Sequence, residues 1–374
     1  MTPLLASLLW LALTALVTAG LWWLGRRTPQ VSVTRTLPPT AFEGTRGTLT
    51  VQVTVRSRRP LRLLIEDPAP RGVVPDRLVS VSALHVGITE RTETLSVTFN
   101  RRGQFDWPGV ELAWADPLGL FWRRVTLPGP GTTVAVYPGT HGLLLPDLLR
   151  PLLSEGTLTR QLGLDDPISL RSVRPYVPGD PPGRVHWRLS ARTGTLTVRD
   201  PERTAASSLT VFVDTSAGGD AFMDSAARLA ASLIREAQAL TLPVAVATNG
   251  RVTPAGREAA ALHEALLTLA RLTPSLDPPQ LPPTRAGGNL ILLSARPSPA
   301  LVQQALRARA TASRVSIVAL PEGYYLEPGE QPRRQWAGVP DSVRDLERRA
   351  AVLAGAGILV FVLRGNQSVL TLAR

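Results

Sequence analysis

Residues 209–240 read LTVFVDTSAGGDAFMDSAARLAASLIREAQAL. The run from Leu209 to Val213 is continuously apolar, as a strand buried on both faces requires. The period then changes to a helical one from Ala221 to Leu240. This strand–helix alternation repeats to the C-terminus, with strands expected at Leu242–Thr248, Asn289–Leu293, Val315–Leu320 and Ile358–Leu363. Helices are expected at Arg257–Leu272, Ala300–Ala312 and Ser342–Ala354, and Asn249-Gly250 reads as a hairpin turn. Such alternation predicts an open, doubly wound α/β sheet over 207–374. The segment Thr273–Pro283 carries five prolines in eleven residues and reads as a loop where such sheets present a binding edge. The apolar run Ala350–Leu363 is too short to span a bilayer and holds Gly355 and Gly357, so it reads as a helix end followed by a strand.

Upstream, the texture between Val31 and Pro138 is that of short alternating strands. Val31–Arg35, Leu49–Val55, Leu61–Ile65, Thr94–Phe99, Val110–Trp114 and Thr133–Tyr137 are bounded by turn residues, with no convincing helical pattern. An antiparallel β-sandwich of immunoglobulin-like shape is expected over 29–140.

Before it, Leu4–Leu24 is an uncharged stretch of 21 residues, close to the ~20 that a helix needs to cross a bilayer. A signal peptide would require a positive n-region and a small-residue cleavage site, and neither is evident. Arg26 and Arg27 follow the span at once, with Trp22 and Trp23 beside them at the place of an interfacial aromatic belt. Residues 1–28 are therefore expected to anchor the chain in the inner or plasma membrane, and the positive-inside rule puts the body in the cytoplasm.

The 374 residues hold 41 basic and 29 acidic side chains, a formal charge of +12, and every basic residue is arginine. The arginines are spread along the chain with only 5% aromatics, which argues against a nucleic-acid patch. Hydrophobic residues at 44% with 19% charged exclude a disordered chain despite 34 prolines. The absence of cysteine excludes thiol catalysis, thiolate metal sites and disulfides.

Between the two predicted domains, 141–206 form a connector. From Arg171 to Arg199 it holds six arginines against one acid, Asp180, a local charge of +5. The succession Arg174, Tyr176, Gly179-Asp180, Arg184, Trp187 and Ser190-Ala191-Arg192 resembles the hallmark of the bacterial domain of unknown function 58 family. His186 stands where that family usually shows an aspartate. Arg102-Gly103, Phe105, Gly109-Val110, Asp116–Phe121 and Val136–Pro138 also resemble the family's sandwich region. The resemblance implies a von Willebrand factor A-like C-terminal domain, an interaction role, and a MoxR-type AAA+ ATPase as partner. It also implies a comparison with the divalent-cation motif of von Willebrand A domains, Asp-x-Ser-x-Ser plus a later threonine and aspartate. Here Asp214 and Ser216 match, Gly218 replaces the second serine, and Ser294-Ala295 stands where the aspartate would follow a strand. Thr273 and Thr284 are the candidate threonines, and magnesium is the ion such hard ligands would suit. Alternatively, Asp214 and Ser216 cap the following helix and order the strand-to-helix turn.

The connector arginines read either as a face for an acidic partner or anionic lipid, or as an internal network in which Asp180 pairs with an arginine and Trp187 packs on another. Asp165-Asp166 is a carboxylate pair of the kind that acid–base chemistry uses, but as neighbours before Pro167 the two read as a solvated loop. The four histidines, His85, His141, His186 and His263, lack zinc-site spacing, and neither a G-x-S-x-G elbow nor a lysine-bearing phosphate loop occurs. The expected function is that of a membrane-anchored, non-enzymatic adaptor without a resident cofactor. The alternatives are a cell-envelope hydrolase or transferase component and a cation-dependent ligand-binding module.

Overall fold

The computed structural model describes residues 3–77, 79–129, 131–139, 165–177, 185–203, 208–239, 241–284, 287–322 and 341–363, with backbone alone at 165–174 and 199–203. Two compact units divide the chain, Met1–Gly139 and Thr140–Arg374, so the connector falls within the second.

The first unit opens with α1 (Pro3–Leu24), whose 22 residues make a rod of about 33 Å at 1.5 Å per residue. None of its Ser7–Leu24 stretch is buried. Nine strands follow: β1 (Gln30–Thr36), β2 (Thr40–Phe42), β3 (Arg46–Asp67), β4 (Val73–Pro75), β5 (Val79–Phe99), β6 (Gly103–Asp106), β7 (Val110–Ala115), β8 (Arg123–Leu127) and β9 (Thr133–Tyr137). They form a six-stranded sheet in the order β4-β5-β3-β7-β8, with β1 also on β3, and a three-stranded sheet β2-β9-β6.

The long ribbon β3–β5 organises this unit. Asp67 pairs with Val79 at one end of β5, whereas Val73, six residues after Asp67, pairs with Phe99 at the other end. Six residues reach at most about 21 Å and a straight strand of this length would cover about 66 Å, so the ribbon must fold over on itself. The register shift between Ser57 and Leu61, opposite Gly87 at φ +89°, supplies the bend. The two arms then line one core: Leu49, Val51, Val53 and Val55 from one, Leu61, Leu63 and Ile65 from the other. The sequence reading split β3 into two strands and began β5 at Thr94. The ribbon runs unbroken through the exposed Arg58 and Pro60 and the exposed Val86–Glu90 stretch, where no buried face imposes alternation.

In the second unit, β10 (Asp165–Pro175) pairs antiparallel with β11 (Thr197–Arg203), and the short α2 (Trp187–Thr193) lies between them in sequence. Asp165 and Asp166 thus open a strand and are not part of a loop. Then β12 (Leu209–Val213), α3 (Asp220–Ala239), β13 (Val244–Thr248), α4 (Ala259–Ala270), β14 (Asn289–Ser294), α5 (Pro299–Ala308), β15 (Arg314–Ala319), α6 (Asp341–Gly355) and β16 (Ile358–Val362) follow. The five strands are parallel in the order β13-β12-β14-β15-β16. Phe212, Leu290, Leu292 and Ile317 share a core with Leu301 and Ala305 of α5 and Val343 and Leu346 of α6. The intervening positions Leu209, Val211 and Val213 are fully buried too, as expected of a sheet covered on both faces.

Candidate functional site

Because β12 is followed by β13 on one side and the chain then crosses to β14 on the other, the strand order reverses between β12 and β14. Open α/β sheets gather ligands at this point, beyond the carboxyl ends of the strands. The side chains that meet there are Asp214 after β12, Asn249 after β13 and Ser294 at the end of β14.

Asp214 is 1% exposed. Its Oδ1 accepts the Ser216 hydroxyl at 2.6 Å, the Ser216 amide at 3.1 Å and, more loosely, Asn249 Nδ2 at 3.4 Å. Its Oδ2 accepts the Ser294 hydroxyl at 2.8 Å. Asn249 extends the cluster: its carbonyl accepts the Thr215 amide at 3.1 Å, and its Nδ2 donates to the backbone carbonyl of Asp277 at 2.6 Å. The Thr215 carbonyl in turn accepts the Ser275 amide at 2.9 Å, which ties the proline-rich loop to the same edge. Among the described residues, the carboxylate is therefore oriented by hydroxyls and amides alone. Ser216 and Ser294 both spend their hydroxyl hydrogens on it.

Asn249 was legible only as half of a hairpin turn. That hairpin is present, closed by Thr248 N–H to Arg251 O at 2.7 Å and by the Ala247–Val252 bridge. The turn also aims its amide side chain inward. Glu322, three residues after β15, is likewise unexpected: Asp214 orders the strand-to-helix turn through Ser216, but the amides at the start of α3 are taken by the Glu322 carboxylate. Its Oε1 accepts Gly219 N–H at 2.6 Å and Phe222 N–H at 3.0 Å, a carboxylate at the positive end of the helix dipole. Position 218 is constrained by packing, since a Cβ there would run into the ring of the fully buried Phe222. Of the candidate threonines, Thr284 pairs with Thr311 at 2.6 Å, away from this edge. Among the described residues, no three His, Cys, Asp or Glu side chains gather into a potential ligand cluster.

The connector motif is built around α2. His186 occupies its N-cap, with Nδ1 accepting the Leu189 amide at 3.2 Å. Capping is a role in which aspartate is among the favoured residues, so histidine at this position preserves the local geometry. Ser190 Oγ accepts the Thr197 amide at 2.9 Å, and Gly194, in the left-handed region at φ +69°, closes the helix through its amide to Ser190 O. Tyr176 is half-buried and its amide donates to Leu196 O at 2.8 Å, while the Arg174 backbone pairs with Val198 in the hairpin. Val185 and Val198 are buried as a bridged pair. Trp187 is 66% exposed and lies against no arginine among the described residues, and Arg188 and Arg192, one helical turn apart, are exposed as well. Gly179, Asp180 and Arg184 lie outside the described residues.

Residues 172–291 match the family described as "Protein of unknown function DUF58". Residues 172–291 are a DUF58 region. The DUF58 match runs from the connector hairpin to β14 and so includes α2, Asp214, Ser216, Asn249 and the proline-rich loop. Among solved structures, the chain is similar over 29% of its length to the CARDB domain of the PF1109 protein from Pyrococcus furiosus, at 15% identity, 93% of that chain and a TM-score of 0.19. It is similar over 28% of its length to the PKD domain of an M14-like peptidase from Thermoplasmatales archaeon SCGC AB-540-F20, at 15% identity, 99% of that chain and a TM-score of 0.16. Likenesses this weak carry no argument about this chain. No curated protein matches it.

Proposed function

We propose that this protein is a membrane-anchored, non-enzymatic adaptor that presents a von Willebrand factor A-like domain to a partner, a MoxR-type AAA+ ATPase or its client. On this reading α1 is the anchor, the β-rich unit is an immunoglobulin-like sandwich that serves as spacer, and the body lies in the cytoplasm. The observation that carries the proposal is the Asp214 cluster. It sits where α/β sheets bind ligands, its donors among the described residues are neutral, and its two serine hydroxyls both donate to the one carboxylate. That arrangement suits recognition of a partner's donor groups better than turnover.

The same cluster favours a cation-independent edge. A hard divalent ion such as magnesium draws on carboxylates with water, and here one carboxylate with both oxygens occupied faces serine, asparagine and a glycine held in place by Phe222. The exposed Arg188, Arg192 and Trp187 of α2 offer a second contact face for an acidic partner.

Affinity capture of the full-length protein from gently solubilised membranes, with and without ATP, tests this reading. Nucleotide-dependent enrichment of an AAA+ ATPase, lost in Asp214→Ala while the melting transition persists, is the expected result. A purified protein that turns over a substrate with saturable kinetics and no partner would overturn it.

A further inference from the structure

The end of α1 is clamped to the β-rich unit. Trp114, itself buried, donates its indole N–H to the Gly25 carbonyl at 2.9 Å, and Arg59 donates to the Trp23 carbonyl at 3.1 Å while its guanidinium stacks 3.9 Å from the Trp23 ring. Arg26 and Arg123 lie 5.5 and 5.7 Å from the ring of Trp22. A Cβ on Gly25 would sit 3.3 Å from the amide of Asp116, so the loop that starts at Asp116 lies directly at the helix base.

That loop is built to stay open. The fully buried carboxylate of Asp116 accepts the amides of Leu118, Leu120 and Phe121 at 2.9, 2.8 and 2.7 Å, and Gly119 takes a φ of +78°. The backbone polar groups are thereby satisfied while the side chains of Leu118, Leu120 and Trp122 project outward, 61%, 59% and 50% exposed. The ribbon bend adjoins it: Arg62 donates to Pro117 O at 2.9 Å and pairs in register with Leu84, and Val86 and Ile88 flank Gly87 opposite Ser57. Leu84, Val86 and Ile88 are each about two-thirds exposed. Six large apolar side chains thus stand bare at one end of the unit, interleaved with arginines, which a surface facing only water rarely shows.

We propose that this end is a second membrane contact. The Asp116–Arg123 loop and the bend at Leu84–Ile88 dip into the interfacial layer of the bilayer that α1 crosses, with Arg59, Arg62 and Arg123 at the level of the lipid phosphates. The proposal rests on reading α1 as a membrane span. Continuity names the occupant: Trp22 and Trp23, in the last turn of α1, belong at the headgroup level, and Arg59 and Arg123 reach back to these same two rings. Tryptophan and leucine partition into that layer, and arginine pairs with phosphate there. The β-rich unit is then seated on the lipid surface and does not swing from its anchor.

The natural lack of cysteine makes the test direct. Single variants Leu13→Cys, Leu118→Cys, Ile88→Cys and Arg46→Cys of the full chain carry a nitroxide label in vesicles of phosphatidylcholine and phosphatidylglycerol. Accessibility to oxygen is compared with accessibility to an aqueous nickel chelate. Arg46 is exposed and lies eleven residues along β3 from the bend at Ser57, about 36 Å, so it serves as the aqueous reference. The expected result is an oxygen-to-nickel ratio at 118 and 88 several-fold above that at 46. If position 13 is lipid-embedded while 118 and 88 match 46, the second contact is overturned and the anchor stands. If 118 and 88 are shielded from both reagents, a protein surface or a second copy covers them, and the proposal is equally overturned. An aqueous reading at position 13 removes the anchor and the proposal together.

Discussion

Asp67 in the β-rich unit and Asp214 in the α/β unit are carboxylates buried to a similar extent, and their surroundings differ. Asp67 in the β-rich unit is bound in a two-pronged ion pair by Arg35, through Nε at 3.0 Å and Nη2 at 2.6 Å, with both side chains almost wholly buried. Arg35 also donates to Pro108 O at 3.1 Å and lies 6.0 Å from the Trp107 ring, so the pair staples β1, the end of β3 and the segment before β7. Asp214 in the α/β unit has no cation among its hydrogen-bond donors and sits at a sheet edge among groups whose partners lie far apart in sequence. A carboxylate paired with an opposite charge inside a core has little left to offer a ligand. One steered by neutral dipoles at the strand-order reversal has both oxygens occupied but meets no counter-ion among the described residues. Burial is common to these two carboxylates, and the charge of their donors is what separates them.

The largest effect is expected where the charge is paired. Asp67→Ala leaves Arg35 buried without its counter-ion and should cost about 3–5 kcal/mol of β-unit stability, measured by denaturant unfolding. The double variant Arg35→Met with Asp67→Leu should recover most of that loss. At the edge the penalty is smaller: Asp214→Ala removes the acceptor from two hydroxyls and an amide and should cost about 1–3 kcal/mol. A drop matching that of Asp67→Ala would mean that both carboxylates serve the fold alone.

Ser294→Asp sharpens the comparison in the other direction by placing a second carboxylate against Asp214. The two like charges should lower the melting temperature, and millimolar magnesium should restore it in this variant while leaving the natural protein unmoved. A magnesium-dependent rise in the natural protein would contradict a cation-independent edge. Glu322→Ala strips the α3 amides of their acceptor and should cost about 0.5–2 kcal/mol in a thermal melt. The smallest effect is expected at α2, where His186→Ala should lose about 1 kcal/mol of local stability by hydrogen exchange, whereas His186→Asp should lose none.

Much of the second unit was readable because apolar runs and helical periods are local signals. All five parallel strands and the helices from 220 onward lie within a few residues of their expected bounds, and Gly355 and Gly357 end α6 before β16 as the pattern suggested. Asp214 and Ser216 were singled out through the family resemblance, which implies a cation motif after the first strand of the sheet. Asn249 and Ser294 as its donors, and Glu322 as the helix cap, were not. All three lie at or shortly after a strand's C-terminal end, and that regularity is the signal that could have found them. In the first unit the β-texture was legible, but the folding-over of the ribbon was not, because it depends on which partner Phe99 and Val79 find.

The sequence by itself determined the apolar N-terminal helix, the change from strand-only to strand–helix texture near residue 207, and the family motif, since each is written in neighbouring residues. Only the tertiary structure decided what surrounds each buried charge. The donors to Asp214 come from 35 and 80 residues away and the cap on α3 from about 100, separations that no local period encodes. It also decided that Leu118, Trp122 and Ile88 share one end of the unit with Gly25. The pairing of strands brings such residues together, and pairing follows from burying one common core.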